Sequence, residues 1–218
     1  MDADETPRDD ATTTGNQPLP TAADEQERMK QTLHTYLARR REDLLRKLDG
    51  LDDYDAARPL VPTGTNLLGL VKHVASVQLE YFGSVFGRPA DRTFPWIEAQ
   101  DETDMFLEAG QTRAEIEELH AYSARWADAT IDALPLDARG EVPWWPPERR
   151  YVTLHQILVH MLAETARHAG HADIVRELID GAVGDRPGDP NLPGRSAQEW
   201  AAFRARIEAN ARAAAGRP

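Results

Sequence analysis

Residues 160–171, HMLAETARHAGH, carry His160, Glu164, His168 and His171 in a helix-favouring run. An α-helix turns by about 100° per residue, so these four side chains fall within roughly 80° of arc and share one stripe. A Glu and a His four apart offer an oxygen and a nitrogen on successive turns, a pair that can ligate a divalent metal when a facing helix supplies a third group. His73, in LVKHVASVQLEYF, can be that group: it follows Leu70 by three and precedes Val77 by four, on the apolar face of its segment. One inward His is more often a hydrogen-bonded core residue than a ligand. His73, Glu164 and His168 together give N, O, N ligation with the fourth position open, as in catalytic sites, whereas structural zinc takes four protein ligands. Spacing alone leaves a metal site and a core polar network as the two readings.

Around these three, His160 stands one turn before Glu164 and reads as a core or supporting hydrogen-bonding group. Arg167, seven after His160, shares the stripe and could clamp a carboxylate through a bidentate pair, or be a surface or Glu-paired Arg. Trp144, Trp145, Arg149 and Arg150 precede the stripe closely enough to wall one end of a site with aromatic and cationic groups, or to anchor their own loop. Glu80, seven after His73, could orient that ligand, but reads more simply as a surface charge. Glu117-x-x-His120 imitates half of a di-iron carboxylate site, and the chain holds no second copy. No His-Glu-x-x-His, phosphate loop, dinucleotide fingerprint or Gly-x-Ser-x-Gly elbow occurs.

The elements that must position these residues are helices. Met29, Leu33, Tyr36, Leu37, Leu44, Leu48 and Leu51 recur at helical spacing from about Asp24 to Gly50. Thr65 can cap a second helix with Leu67, Leu70, Val71, Val74, Val77, Tyr81 and Val85 inside, stopped by Gly87 and Pro89. The connection from Arg88 to Gly110 is long, predicts short helical turns, and is of the kind that shapes sites. A third helix runs from Thr112 to Pro135 with Ile116, Leu119, Tyr122, Trp126 and Ile131 inside. GEVPWWPPERRY then reads as a stiff, non-helical segment, and Thr153 with Gln156 forms a capping box for a fourth helix ending at Gly181. A linker rich in Gly and Pro leads to a last amphipathic helix with Trp200, Phe203 and Ile207 on one side. The expectation is an all-α four-helix bundle over 23–182, preceded by a disordered acidic tail at 1–22, followed by a linker and C-terminal helix at 183–218, and free of strands.

Composition narrows the function. A net charge of −12 opposes a phosphate-binding surface, so nucleic acid is not expected as a partner. Residues 1–27 hold eight acids against Arg8, which places −7 of that charge there. The first residues lack the basic start and apolar stretch of a signal peptide, and no run is apolar enough to span a bilayer, so a cytoplasmic protein is expected. The absence of cysteine excludes disulfides and any protein-borne thiol chemistry.

LVKHVASVQLEYF followed by HMLAETARHAGHADIVRELIDG resembles the DinB-like, or DUF664, four-helix bundles over about residues 28–182. The resemblance implies one metal-binding His on the second helix and a pair four apart on the fourth, the latter Glu-x-x-x-His in mycothiol-dependent maleylpyruvate isomerases. His73, Glu164 and His168 match those positions, while His171 stands where many relatives have Gln. The implied function is a metal-dependent transferase or isomerase that uses a small thiol such as mycothiol on a small electrophile, with zinc as the expected metal, nickel, iron or manganese as alternatives, and a homodimer as a plausible assembly. Arg167, His171, Trp144 and Trp145 are its expected substrate contacts. A hydrolase using metal-activated water, and a stress-related binding protein without turnover, are the competing readings.

Overall fold

The chain, described here from a computed structural model, is defined for residues 21–99, 101–186, 188, 189 and 191–217. The expected acidic tail lies outside them except for Thr21 and Ala22. Thr21 forms a capping box with Asp24 and starts helix α1, Ala22–Arg46, two residues before the periodicity does. A turn carries the chain through Gly50, whose φ of 75° suits a residue without Cβ, into a short helix α2, Asp53–Ala57. Helix α3 spans Leu67–Phe82 and is capped by Asn66 rather than Thr65, the Asn side chain accepting from the Gly69 N–H.

The long connection after α3 contains a 3-10 turn at Ser84–Phe86, helix α4 at Pro95–Ala99 and a second 3-10 turn at Glu102–Met105. Helix α5, Arg113–Ala133, begins with a Thr112 and Glu115 capping box. Helix α6, Leu154–Asp180, begins at the Thr153 and Gln156 box and ends at Gly181, with φ 76°. Helix α7, Ala197–Ala214, follows the Gly- and Pro-rich linker. The four long helices close a ring in which α1 packs on α6 and α5, and α3 packs on the same two. This is the expected all-α bundle. No helix among the described residues is long and apolar enough to cross a membrane.

The strand-free expectation fails in one place. Strands β1, Arg139–Glu141, and β2, Tyr151–Thr153, pair antiparallel with Gly140 opposite Val152. The prolines that argued against regular structure sit in the connecting loop, where no ladder donor is needed, while Val142 and Val152 on the flanks are fully buried in the core. A Cβ at Gly140 would stand 2.7 Å from the Val85 carbonyl oxygen, so only glycine lets the hairpin close on the turn after α3.

Along the bundle, one apolar cluster takes Leu37 from α1, Phe82 from α3, Ile131 from α5 and Leu154, Ile157 and Met161 from α6. A second takes Leu44, Val71, Val74, Ile116, Ala169 and Val175 from the same four helices. Between these two storeys every long helix contributes a polar group. Arg41 of α1 donates to Gln78 Oε1 at 2.5 Å and Asp128 Oδ1 at 2.6 Å, Gln78 donates to Ser123 Oγ at 2.9 Å, and α6 passes through Glu164, Thr165 and His168. Polar groups in a bundle core survive when hydrogen-bonded, and this layer is the level at which the candidate chemistry sits.

Candidate functional site

Two of the sequence-selected histidines meet across the α3 and α6 interface. The His73 and His168 rings are 4.9 Å apart, edge to face. Glu164 Oε2 lies 3.5 Å from His168 Nε2, so the carboxylate leans on the ring one turn below it. The His73 side chain is 23% exposed, His168 13% and Glu164 39%, which gives a mouth open on the carboxylate side and closed behind the imidazoles.

The electrostatics favour neutral imidazole at His168. Burial, with His73 adding to it, lowers its pKa to about 4 against the pull of Glu164. A metal ligand must be deprotonated, and His168 is so throughout the neutral range. Its Nδ1 is buried with no hydrogen-bond partner among the described residues. His73 is held differently: its Nδ1 is 2.6 Å from Asp104 Oδ2, in the second 3-10 turn. The contact engages Nδ1 and leaves Nε2 as the ring nitrogen that this carboxylate does not bond.

As the side chains stand, no three His, Asp or Glu groups among the described residues converge on a common point that would hold a metal ion. The donor types are those a divalent cation takes: a neutral, largely buried imidazole, a second imidazole backed by a carboxylate, and a partly exposed carboxylate. His73, Glu164 and His168 are the residues that would hold it.

The remaining expected residues divide into two groups. Trp144 and Trp145 both donate indole N–H to the Tyr81 hydroxyl, at 3.4 and 3.1 Å, and the His160 ring lies 4.7 Å from Tyr81 and 5.1 Å from Trp145. His160 is thus part of an aromatic wall one turn from Glu164, where burial lowers its pKa. Tyr81 was visible in the sequence only as a core residue. Arg167 and His171 stand on the exposed side of α6, with the His171 ring 5.4 Å from His168. Arg150 pairs with Glu141 at 3.3 Å across the hairpin, and Arg149 is exposed.

One reading is revised. Glu80 is half-buried, not a plain surface charge: burial and the nearby Asp104 raise its pKa while His73 lowers it, so it shares the His73 neighbourhood. Asp104, which no spacing rule singled out, is the acid that bonds His73. Glu117 pairs with Arg113 at 2.7 Å, while His120 is buried 6% exposed in the polar layer, so this pair does not build half of a di-iron site.

The ring of four long helices and the His and Glu cluster between its second and fourth members define a DinB-like bundle. A family model described as mycothiol-S-transferase matches residues 32–181, and the chain belongs to that family. Among solved structures, a conserved protein from Enterococcus faecalis is similar over 70% of this chain and 98% of its own, at 20% identity and a TM-score of 0.50, a likeness of fold. A comparison with curated proteins finds no match.

Proposed function

We propose that the chain is a metal-dependent S-transferase that joins a small thiol of the mycothiol type to a small electrophile in the cytoplasm. The observation that carries this reading is the approach of His73 and His168 across α3 and α6 with Glu164 beside them, in a polar layer of the bundle. Because the chain has no cysteine, the sulfur must arrive with a cosubstrate, in keeping with the family description.

His73, Glu164 and His168 would hold a divalent metal such as zinc, which would supply the Lewis acidity that lowers a thiol pKa towards neutrality. The protein's own groups do the rest. His168 stays unprotonated, Asp104 keeps His73 in one orientation, and Arg167 with His171 offers cationic and hydrogen-bonding contacts to a carboxylate or hydroxyl-rich thiol at the open side. The Tyr81, Trp144, Trp145 and His160 wall offers aromatic faces to the apolar part of a substrate. In the transfer the sulfur forms a new S–C bond, the thiol proton passes to solvent, and the displaced group leaves with the electron pair of the broken bond.

The test is conjugation of mycothiol to an activated haloarene by the zinc-supplemented full chain. Turnover is expected to require the thiol and to fall by more than about 100-fold in His168→Ala. Metal-dependent turnover of an ester or amide with no thiol requirement would replace this reading with hydrolysis.

A further inference from the structure

The contacts that deliver Asp104 to His73 are built into a single face of α3. Asn66 Nδ2 donates to the Met105 carbonyl at 3.1 Å, and a Cβ on Gly69 would stand 1.8 Å from that same oxygen. Lys72, fully buried, donates to the Thr103 carbonyl at 2.5 Å, the Phe106 carbonyl at 3.0 Å and Gln111 Oε1 at 2.9 Å, and its ammonium lies 4.5 Å from the Trp96 ring centroid. Ser76 accepts the Trp96 indole N–H at 3.0 Å. Asn66, Gly69, Lys72, His73 and Ser76 recur at three and four residues, so they form one stripe.

A buried ammonium carries a desolvation cost, and here three oxygens and a ring that belong to, or adjoin, the segment bearing Asp104 offset it. Burial lowers the Lys72 pKa, and the nearest charges that oppose this, Glu108 and Asp104, lie on the same segment. A loop needed only to cover apolar surface would not require such a clamp. The one side chain it presents to the chemistry is Asp104, 18% exposed, against His73.

We propose that Asp104 is a positioning residue: clamped by Asn66, Gly69 and Lys72, it fixes His73 as the tautomer with hydrogen on Nδ1 and leaves Nε2 free as donor to the metal. The metal part rests on the reading of His73 as a ligand; the tautomer part does not. Carboxylate backing of a ligating imidazole typically changes metal affinity by about 10- to 100-fold when removed.

Two measurements on the full chain test this. Long-range proton–nitrogen correlation of the metal-free protein at pH about 8, where an ordinary imidazole is neutral, reports which His73 nitrogen bears hydrogen. Zinc affinity by competition with a chromogenic chelator is measured on the same samples. The expected result is Nδ1–H in the native chain, a mixed or Nε2–H state in Asp104→Ala, and a zinc affinity lower by about 10- to 100-fold. Asp104→Leu, which keeps a similar volume without a polar group, is expected to give the same tautomer change and zinc loss as Ala, and decides the matter if the Ala variant does not fold. An unchanged tautomer in Asp104→Ala, or an unchanged zinc affinity in a native chain that binds zinc, overturns the assignment. A native chain that binds no zinc but shows the tautomer change overturns the metal reading and leaves Asp104 as the orienting group of His73.

Discussion

Two histidines in the polar layer have pKa values lowered to about 4, and their surroundings give them different consequences. His168 is partly open and stands beside Glu164 and His73. His120 is closed in: burial lowers its pKa first, Arg41 adds to it, and its Nε2 has no hydrogen-bond partner among the described residues. An imidazole with an ordinary pKa of 6.5 when unfolded and about 4 when folded takes up its proton first in the unfolded chain. Its contribution to stability is therefore intact above pH about 6.5, falls as pH drops through the window down to about 4, and changes no further below. For His120 the loss across that window is on the order of 3 kcal/mol. His120→Gln should flatten the dependence of unfolding free energy on pH between about 6.5 and 4 by that order, as read by urea titrations at several pH values, with His168 leaving a residual slope. An unchanged slope would show that His120 is not held neutral. At this scale the ligand candidates were legible because helical spacing places i and i+4 residues together. Asp104 was not, because its nearness to His73 depends on the path of a loop, which no periodicity encodes.

Among the elements, α3 determines most of the site. One face carries Val71 and Val74 into the core, and an adjacent stripe receives the segment from Asp101 to Phe106. Gly69 sets the closeness of that approach. Substituting Ala gains up to about 1 kcal/mol of helix propensity but drives a methyl into the Met105 carbonyl, and overpacking of that kind costs about 1–3 kcal/mol. Gly69→Ala is therefore expected to lower stability by a net 1 kcal/mol or so, in urea melts, and to increase hydrogen exchange in residues 101–106 selectively. Faster exchange spread evenly over the bundle, or none, would show that the loop is not clamped there. Helix starts at Thr112 and Thr153 and the stop at Gly181 were legible because capping chemistry is local. The hairpin was missed because its pairing is short and its prolines dominate the local signal; α2 was missed because five residues give no periodicity.

For the whole molecule, four helices that alternate apolar storeys with a polar layer follow from sequence patterning, and the fold class was readable on that ground. The C-terminal helix was legible as an element, and within this chain no residue of α7 is buried, while Arg195 lies over the Trp200 and Phe203 rings at 4.6 and 4.1 Å. Amphipathicity announces a face but not what covers it. The proposed function requires the polar layer between α3 and α6 to be a metal centre. The most direct measurement is metal content by mass spectrometry on untagged native protein, beside folded Glu164→Ala and His168→Ala variants. About one divalent metal per chain is expected in the native protein, with a near-complete loss in both variants. A native chain that takes up no zinc, nickel, iron or manganese when offered an excess would contradict the proposed function, and would make His73, Glu164 and His168 a polar network of the core.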